Sequence, residues 1–252
     1  MNMVIDIGNT LTKTAIFKDN ELSSFSSFEK LAVSDATNLL SNNASVKNVL
    51  LSSVIEQDKT ISEFLKSKCN FFELSHGTPI PVKNLYNTPQ TLGKDRLAAA
   101  VGINFHFRNK NALSIDVGTC IKYDFVDDQN QYLGGGISPG IDMRFKGLNK
   151  FTDKLPLLSY EHFDKLIGGD TRESILSGVM NGVIEEVKGI ISRYNQQYSN
   201  VKVVFTGGYL KFFEKVFNPL KIESSNEKSN IFADPFLVLR GLNNILKFNE
   251  KK

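Results

Sequence analysis

The chain has 252 residues, enough for one large domain or two small ones with a buried core. Its net charge is only +3, and no face-defining run of Lys and Arg favours nucleic-acid binding. Two isolated cysteines and three scattered histidines argue against a zinc site and a disulfide framework. Without a visible signal peptide or a membrane-length apolar run, we expect a soluble, cytoplasmic protein that binds neither nucleic acid nor membrane.

Strand and helix patterns alternate along the chain, which is typical of an α/β fold. Asp170, with Glu173 three residues later, predicts the start of the longest helix, and Asp234-Pro235 predicts a cap followed by a proline at the first helical position. The predicted strands are 4–8, 12–17, 49–54, 70–74, 112–118, 121–126 and 202–208, and the predicted helices are 58–68, 95–107, 171–198, 210–217 and 235–248.

The sequence also contains an internal repeat. VIDIGNTLTKTAIFKDNEL near the start is echoed by SIDVGTCIKYDFVDDQNQYL at 114–133. Each copy has a strand, Asp-x-Gly, Thr, a second alternating strand and a polar turn suited to a hairpin. Two copies about 110 residues apart indicate duplicated halves. The turn-rich segment 108–111 predicts the boundary, which gives domains 1–111 and 112–252.

Asp6 is unusual because a carboxylate inside a strand needs a cation, a donor or water. A single Asp-x-Gly could mark only a bulge or a turn, but the repeat and a third glycine turn at 206–208 favour a phosphate site. There, glycine backbone N–H groups approach phosphates, aspartates hold a hydrated metal ion, and Lys13 adds positive charge. This arrangement resembles the actin, hexokinase and heat-shock ATPase superfamily, whose two duplicated, ribonuclease H-like α/β halves close over ATP.

The segment YNTPQTLGKDR (86–96) predicts a loop that leads into an Ala-rich helix. Asp95 then lies at the helix N-terminus, either as a capping carboxylate or as a general base presented on a rigid element. The Arg96 guanidinium could bind a substrate carboxylate. Tyr86 would either close the other side of such a pocket or lie in the core.

The spacing Tyr-x-x-Pro-x-x-x-Gly-x-Asp-Arg in this segment resembles the type III pantothenate kinases. So do DIGNTLTK at 6–13, GGGISPGIDMRFKGLNKFTDKLP at 134–156 and LVLRGL at 237–242. The resemblance therefore runs in order along most of the chain. It implies a homodimeric enzyme that transfers the γ-phosphoryl group of ATP to the primary hydroxyl of pantothenate, the first step of coenzyme A biosynthesis. It also implies that ATP binds in the cleft between the two halves, together with Mg²⁺ and a monovalent cation, K⁺ or NH₄⁺.

The resemblance assigns roles to individual residues. Asp95 would accept the hydroxyl proton, and Asp116 would help to hold the monovalent cation. ATP would be bound by Asp6, Gly8, Asn9, Thr10 and Lys13 in the first hairpin and by Thr119 in the second, and pantothenate by Tyr86, Gly93, Lys94, Asp95, Arg96 and Thr171. The long helix at 171–198, with Gly178 and Gly182, would be either a dimer-interface element or a core helix.

One stretch departs from the family pattern. After Asp-x-Gly-Thr the family usually has Ala, Thr two residues later and Asp two beyond that. This chain has Cys120 and Lys122 at the first two positions and keeps Asp124. The lysine could supply charge to ATP or displace the monovalent cation.

Two other functions remain open. One is a sugar kinase of the same superfamily, although such kinases often carry a cysteine-rich zinc motif that two isolated cysteines cannot build. The other is a non-catalytic nucleotide-binding regulator, which would have no chemical need for the set Tyr86, Asp95, Arg96 and Thr171.

Overall fold

The computed structural model describes residues 1–55, 59–221 and 230–250. The strands are β1 (Asn2–Ile7), β2 (Thr12–Lys18), β3 (Glu21–Phe28), β4 (Asn48–Ser53), β5 (Asn70–Glu73), β6 (Lys83–Asn84), β7 (Ala112–Val117), β8 (Cys120–Val126), β9 (Gln131–Pro139), β10 (Lys202–Thr206), β11 (Leu220–Lys221) and β12 (Ile231–Ala233). The helices are α1 (Val33–Asn42), α2 (Lys59–Lys68), α3 (Lys94–His106), α4 (Ile141–Lys150), α5 (Thr171–Gln197), α6 (Leu210–Phe217) and α7 (Leu237–Glu250), with a 3₁₀ turn at Pro89–Thr91.

The predicted strands and helices are confirmed, with ends that differ by one or two residues. Residue 58, the predicted start of α2, lies outside the described residues. One boundary is wrong, because α7 begins at Leu237 and Pro235 therefore lies in the turn before the helix. The sequence analysis missed β3, α1, β9 and α4, together with the short strands β6, β11 and β12.

The chain divides into two compact units. The first unit is Met1–Lys110, Asp124–Gly134 and Phe236–Lys252, and the second unit is Asn111–Tyr123 and Gly135–Pro235. The division after Lys110 falls in the predicted boundary segment, while two later segments return to the first unit. The predicted domains 1–111 and 112–252 stay a prediction.

The first unit is built on a five-stranded sheet with the order β3-β2-β1-β4-β5. Strand β1 is antiparallel to β2 and parallel to β4, and its apolar residues Met3, Val4 and Ile5 are completely buried. Helix α3 packs on α7 so closely that a Cβ at Gly241 would collide with the Ala98 carbonyl. This packing fixes α3, whose N-terminus carries Asp95.

The second sheet has the order β11-β12-β10-β7-β8-β9-β6, and its strands β7, β10 and β12 are parallel to one another in the second unit. Helix α5 of that unit begins as predicted, since the Glu173 backbone N–H donates to Asp170 Oδ1 at 2.7 Å. Its apolar face is buried at Ile175, Val179, Val183, Val187 and Ile191. No helix in the described parts of the chain is long and apolar enough to span a membrane.

Candidate active site

The first hairpin, β1 and β2 with the turn between them, places Asp6 directly opposite Lys13. Directly opposed residues of an antiparallel pair have their side chains on the same face, so a carboxylate and an ammonium group share one face of the sheet. The Gly8 N–H donates to the Leu11 carbonyl at 3.0 Å and closes the turn, and Asn9 and Thr10 are exposed at its tip. An exposed polar turn beside a lysine is suited to binding phosphate.

Asp95 lies in the first turn of α3, as predicted, one residue after the first helical residue Lys94. The residue at the cap position is Gly93, so Asp95 is not itself the capping residue. Asp95 Oδ1 accepts a hydrogen bond from the Arg96 backbone N–H at 2.9 Å, which holds the half-buried carboxylate at the helix start. A carboxylate in this position is stabilised by the helix dipole and still reaches solvent.

Arg96 is almost completely buried, with 5% of its surface exposed, and it pairs with Asp124. Its Nε and Nη2 lie 2.8 and 2.7 Å from Asp124 Oδ1, and the Tyr132 hydroxyl donates to the same oxygen at 2.7 Å. Burial raises the pKa of Asp124 to about 6, while Arg96 and Tyr132 act in the opposite direction. Their contacts stabilise the carboxylate form of Asp124, and the pair fixes the orientation of the guanidinium.

Two tyrosines complete this cluster. The Tyr86 ring centroid lies 5.6 Å from Arg96 Cζ, within the range of a cation–π interaction. The rings of Tyr86 and Tyr132 stack with their centroids 6.2 Å apart. We call Tyr86, Arg96, Asp124 and Tyr132 the arginine cluster, and it adjoins Asp95 in sequence.

Lys94, the remaining predicted residue of this segment, is half-buried. It lines a cavity of about 550 Å³ in the first unit, together with Ser53, Lys59, Lys66 and Glu73. The lining also includes Glu63, so three lysines and two glutamates share the cavity wall.

The second hairpin, β7 and β8 with the turn between them, carries Asp116 and Lys122. Lys122 Nζ lies 2.7 Å from Asp116 Oδ2, and the two side chains are 19% and 13% exposed. The Gly118 N–H donates to the Cys120 carbonyl at 3.1 Å, and Thr119 is exposed at the tip of the turn. The hairpin therefore repeats the Asp, Gly, Thr and Lys arrangement of the first one.

Two further glycine turns pack on this hairpin within the second unit. Gly207 has φ +99°, and a Cβ there would collide with Asp116 Oδ1 and lie 2.7 Å from the Val117 backbone nitrogen. The Gly140 N–H, at the start of α4, donates to the Thr119 carbonyl at 3.1 Å. The predicted third glycine turn thus lies directly against the second Asp-x-Gly-Thr segment.

The predicted site residues therefore fall into groups that the two units position separately. Asp116 and Thr119 lie in one hairpin of the second unit, and Thr171 is exposed at the first residue of α5 in that unit. The first unit holds the hairpin residues Asp6, Gly8, Asn9, Thr10 and Lys13 and the residues Tyr86, Gly93, Lys94, Asp95 and Arg96.

Sequence reasoning assigned no role to Asp124 or Tyr132. Asp124 is 28 residues from Arg96, so no local pattern predicts their pairing. The one available signal was that Asp124 keeps the family pattern where its neighbours depart from it. An acid among the apolar residues of β8 needs a buried partner, and this requirement could have drawn attention to Asp124.

Comparison with known proteins decides the family. A family model described as type III pantothenate kinase matches residues 2–193. The chain belongs to the type III pantothenate kinase family. It is 43% identical over 252 residues to the type III pantothenate kinase of Phocaeicola vulgatus, with 100% of both chains covered. It is 41% identical over 251 residues to that of Christiangramia forsetii, with 99% of each covered.

Solved structures support the predicted fold class. A Campylobacter jejuni protein assigned to a Baf family of transcriptional activators aligns with a TM-score of 0.59 at 22% identity, covering 99% of this chain and 100% of that one. The Clostridium difficile activator of 2-hydroxyisocaproyl-CoA dehydratase, with bound ADPNP, aligns with a TM-score of 0.53 at 14% identity, covering 99% and 95%. These likenesses concern the fold alone. Together with the two sheets, they confirm the predicted α/β fold class of this pantothenate kinase family member.

Proposed function

We propose that this chain is an ATP-dependent pantothenate kinase. It transfers the γ-phosphoryl group of ATP to the primary hydroxyl of pantothenate and yields 4′-phosphopantothenate, the first step of coenzyme A biosynthesis. The observation that carries the proposal is Asp95, a half-exposed carboxylate held at the start of α3 beside the arginine cluster. Membership of the type III pantothenate kinase family supports the same reaction.

The two hairpins are suited to bind the triphosphate. Phosphoryl transfer depends mainly on positioning and on stabilisation of negative charge. The exposed turns at Asn9-Thr10 and at Thr119 present hydroxyl groups and backbone N–H groups, and Lys13 adds a cation on the face of Asp6. We therefore assign ATP binding to Asp6, Gly8, Asn9, Thr10, Lys13 and Thr119.

The arginine cluster and its neighbours are suited to bind the acceptor. Asp95 would accept the proton of the pantothenate hydroxyl as that oxygen attacks phosphorus. Arg96 would attract the pantothenate carboxylate, and Asp124 sets its orientation before the substrate arrives. Tyr86 would pack against pantothenate, and Gly93, Lys94 and Thr171 would complete the pocket.

Two inorganic ions are implied for this reaction. Asp6 fits a Mg²⁺ contact, because Mg²⁺ in kinases takes one or two carboxylates together with substrate phosphates. When bound, Mg²⁺ would neutralise charge on the phosphate oxygens. The K⁺ or NH₄⁺ ion fits poorly, since its expected ligand Asp116 already pairs with Lys122. A homodimer, which the resemblance implies, and a cytoplasmic location complete the proposal.

A coupled assay of ADP release would test the substrate. We expect ATP turnover with pantothenate and none with hexoses, and we expect Asp95→Asn to abolish most of it. Turnover with a hexose would favour a sugar kinase. Nucleotide binding without turnover on any of these acceptors would favour a non-catalytic regulator and contradict the proposal.

A further inference from the structure

Lys122 is one of the two residues at which this chain departs from the family pattern, and the structure gives it a partner. We infer that the Lys122 ammonium group takes the place of the free monovalent cation, so that phosphoryl transfer needs no K⁺ or NH₄⁺. This inference rests on the proposed pantothenate kinase function and assigns Lys122 as a positioning residue for the second hairpin.

The first support is the ion pair itself. Lys122 Nζ and Asp116 Oδ2 are 2.7 Å apart, and neither side chain is more than one-fifth exposed. A pair this shielded from water is screened weakly by salt, so the ammonium stays on the carboxylate at ordinary ionic strength. A second cation on the same oxygen would meet a like charge at short range.

The other carboxylate oxygen lies close to the third glycine turn. Asp116 Oδ1 faces Gly207, where even a single added Cβ would collide with it. The Gly207 backbone holds this position through its positive φ of +99°. One oxygen of Asp116 is therefore occupied by Lys122 and the other lies beside the Gly207 backbone, so a free cation would have to share the carboxylate with the ammonium group.

The chemistry of the replacement is direct. One of the two ions expected at Asp116 is ammonium, and lysine carries an alkylammonium group with three N–H donors. Because Lys122 is part of β8, its positive charge is present beside Asp116 at any ion concentration and needs no binding step. The site keeps one positive charge beside Asp116, now supplied by the chain.

The internal repeat places the two lysines in matching positions. In the first hairpin, Lys13 of the return strand lies directly opposite Asp6. In the second hairpin, Lys122 of the return strand bonds to Asp116. The segment DIGNTLTK is one residue longer in its turn than DVGTCIK, and both segments end in this lysine. Each unit therefore carries an Asp–Lys pair next to its predicted phosphate turn.

The test compares cations with the full-length protein. Wild-type turnover of pantothenate and ATP is measured with K⁺, with NH₄⁺ and with tetramethylammonium as the sole monovalent cation. We expect the three rates to agree within about twofold, because losing one preorganised charge would slow the reaction by about 10²-fold or more. Lys122→Thr, which restores the usual family residue, should be slowed by about 10²-fold in tetramethylammonium and recover in K⁺ or NH₄⁺.

Thermal unfolding gives a readout that does not depend on turnover. KCl in place of tetramethylammonium chloride should leave the wild-type Tm unchanged, because Lys122 already pairs with Asp116. The same change should raise the Tm of Lys122→Thr, because K⁺ can bind Asp116 in the folded state of this variant. Lys188→Thr is the matched control, because it removes an exposed lysine paired with Glu185 in the same unit. It should show no K⁺ dependence in either measurement.

Three results would overturn the inference: wild-type turnover that requires K⁺ or NH₄⁺, a wild-type Tm that rises with KCl, or a Lys122→Thr Tm that K⁺ leaves unchanged. If Lys122→Thr does not fold, the wild-type cation comparison alone decides. If the wild-type protein turns over pantothenate in no cation, the proposed function fails, and the KCl dependence of the two Tm values still decides the role of Lys122.

Discussion

Asp124→Ala is the substitution that tests the arginine cluster most severely. The Asp124 side chain is 1% exposed and its partner Arg96 is 5% exposed, so the change leaves a guanidinium group buried without its carboxylate. It also removes the acceptor of the Tyr132 hydroxyl, which lies 2.7 Å from Asp124 Oδ1. Both losses act on the folded state, since in the unfolded chain all three groups are hydrated.

The expected magnitude follows from this burial. Breaking a buried ion pair by removing one partner costs about 3–5 kcal/mol. For a protein of this length, 1 kcal/mol shifts the Tm by about 2–4 °C, so Asp124→Ala should unfold roughly 6–20 °C below the wild type. Asp124→Asn keeps an oxygen that can accept from Tyr132 and should therefore lose less. The KM for pantothenate should rise in both variants, because Arg96 is no longer held in place, while the KM for ATP stays near its wild-type value.

Circular dichroism during heating and steady-state kinetics measure these two effects. Glu185→Ala serves as the control, because its partner Lys188 is exposed and such pairs contribute at most about 1 kcal/mol. If Asp124→Ala loses less than about 1 kcal/mol and keeps the wild-type KM for pantothenate, the pair neither stabilises the first unit nor orients Arg96. A matching rise in both KM values would instead assign Arg96 a purely structural role.

Two further predictions concern single positions. Asp95→Asn should retain the fold and the binding of ATP and pantothenate by calorimetry, while turnover falls by about 10²–10⁴-fold. Asparagine keeps an oxygen that can accept from the Arg96 N–H, so unchanged turnover would show that Asp95 serves only the helix start. Gly207→Ala places a Cβ against Asp116 at a residue whose φ is +99°, and it should lower the free energy of unfolding in urea by about 1–3 kcal/mol. An unchanged urea midpoint would contradict the close approach of the two turns.

The hairpins were predictable from sequence because their signals are local. Apolar runs before Asp-x-Gly predicted β1 and β7, and alternation after it predicted β2 and β8 and placed Lys13 on the return strand. The cap of α5 was equally local, since Asp170 and Glu173 are three residues apart. Patterns of this length depend little on the rest of the chain.

The missed elements lack such signals. Strand β3, ELSSFSSF, carries four serines, its Leu22 and Phe28 are only half-buried and its Phe25 is exposed, and it pairs with β2 at the edge of the first sheet. Strand β9 contains three consecutive glycines and ends in Pro139, residues that disfavour strands. In both cases the neighbouring strand supplies the hydrogen-bonding partner that the segment's own propensity does not predict.

The site was predictable in its residues but only partly in its pairings. Asp95 at a helix start follows from the Gly-x-Asp-Arg spacing. The partners of Arg96 and Asp116 could not be predicted in this way. Asp124 is 28 residues from Arg96 in the sequence, and the pairing of Asp116 with Lys122 in place of a free ion depends on side-chain packing. Tertiary contacts of this kind leave no periodic pattern in a single sequence.

The most direct test of the proposed reaction is mass-spectrometric analysis of the product after incubation of the protein with pantothenate, ATP and Mg²⁺. We predict a product heavier than pantothenate by one phosphoryl group, formed together with an equal amount of ADP and nearly absent with Asp95→Asn. The assignment would be contradicted if pantothenate stays unmodified after long incubation of the folded wild-type protein with excess ATP.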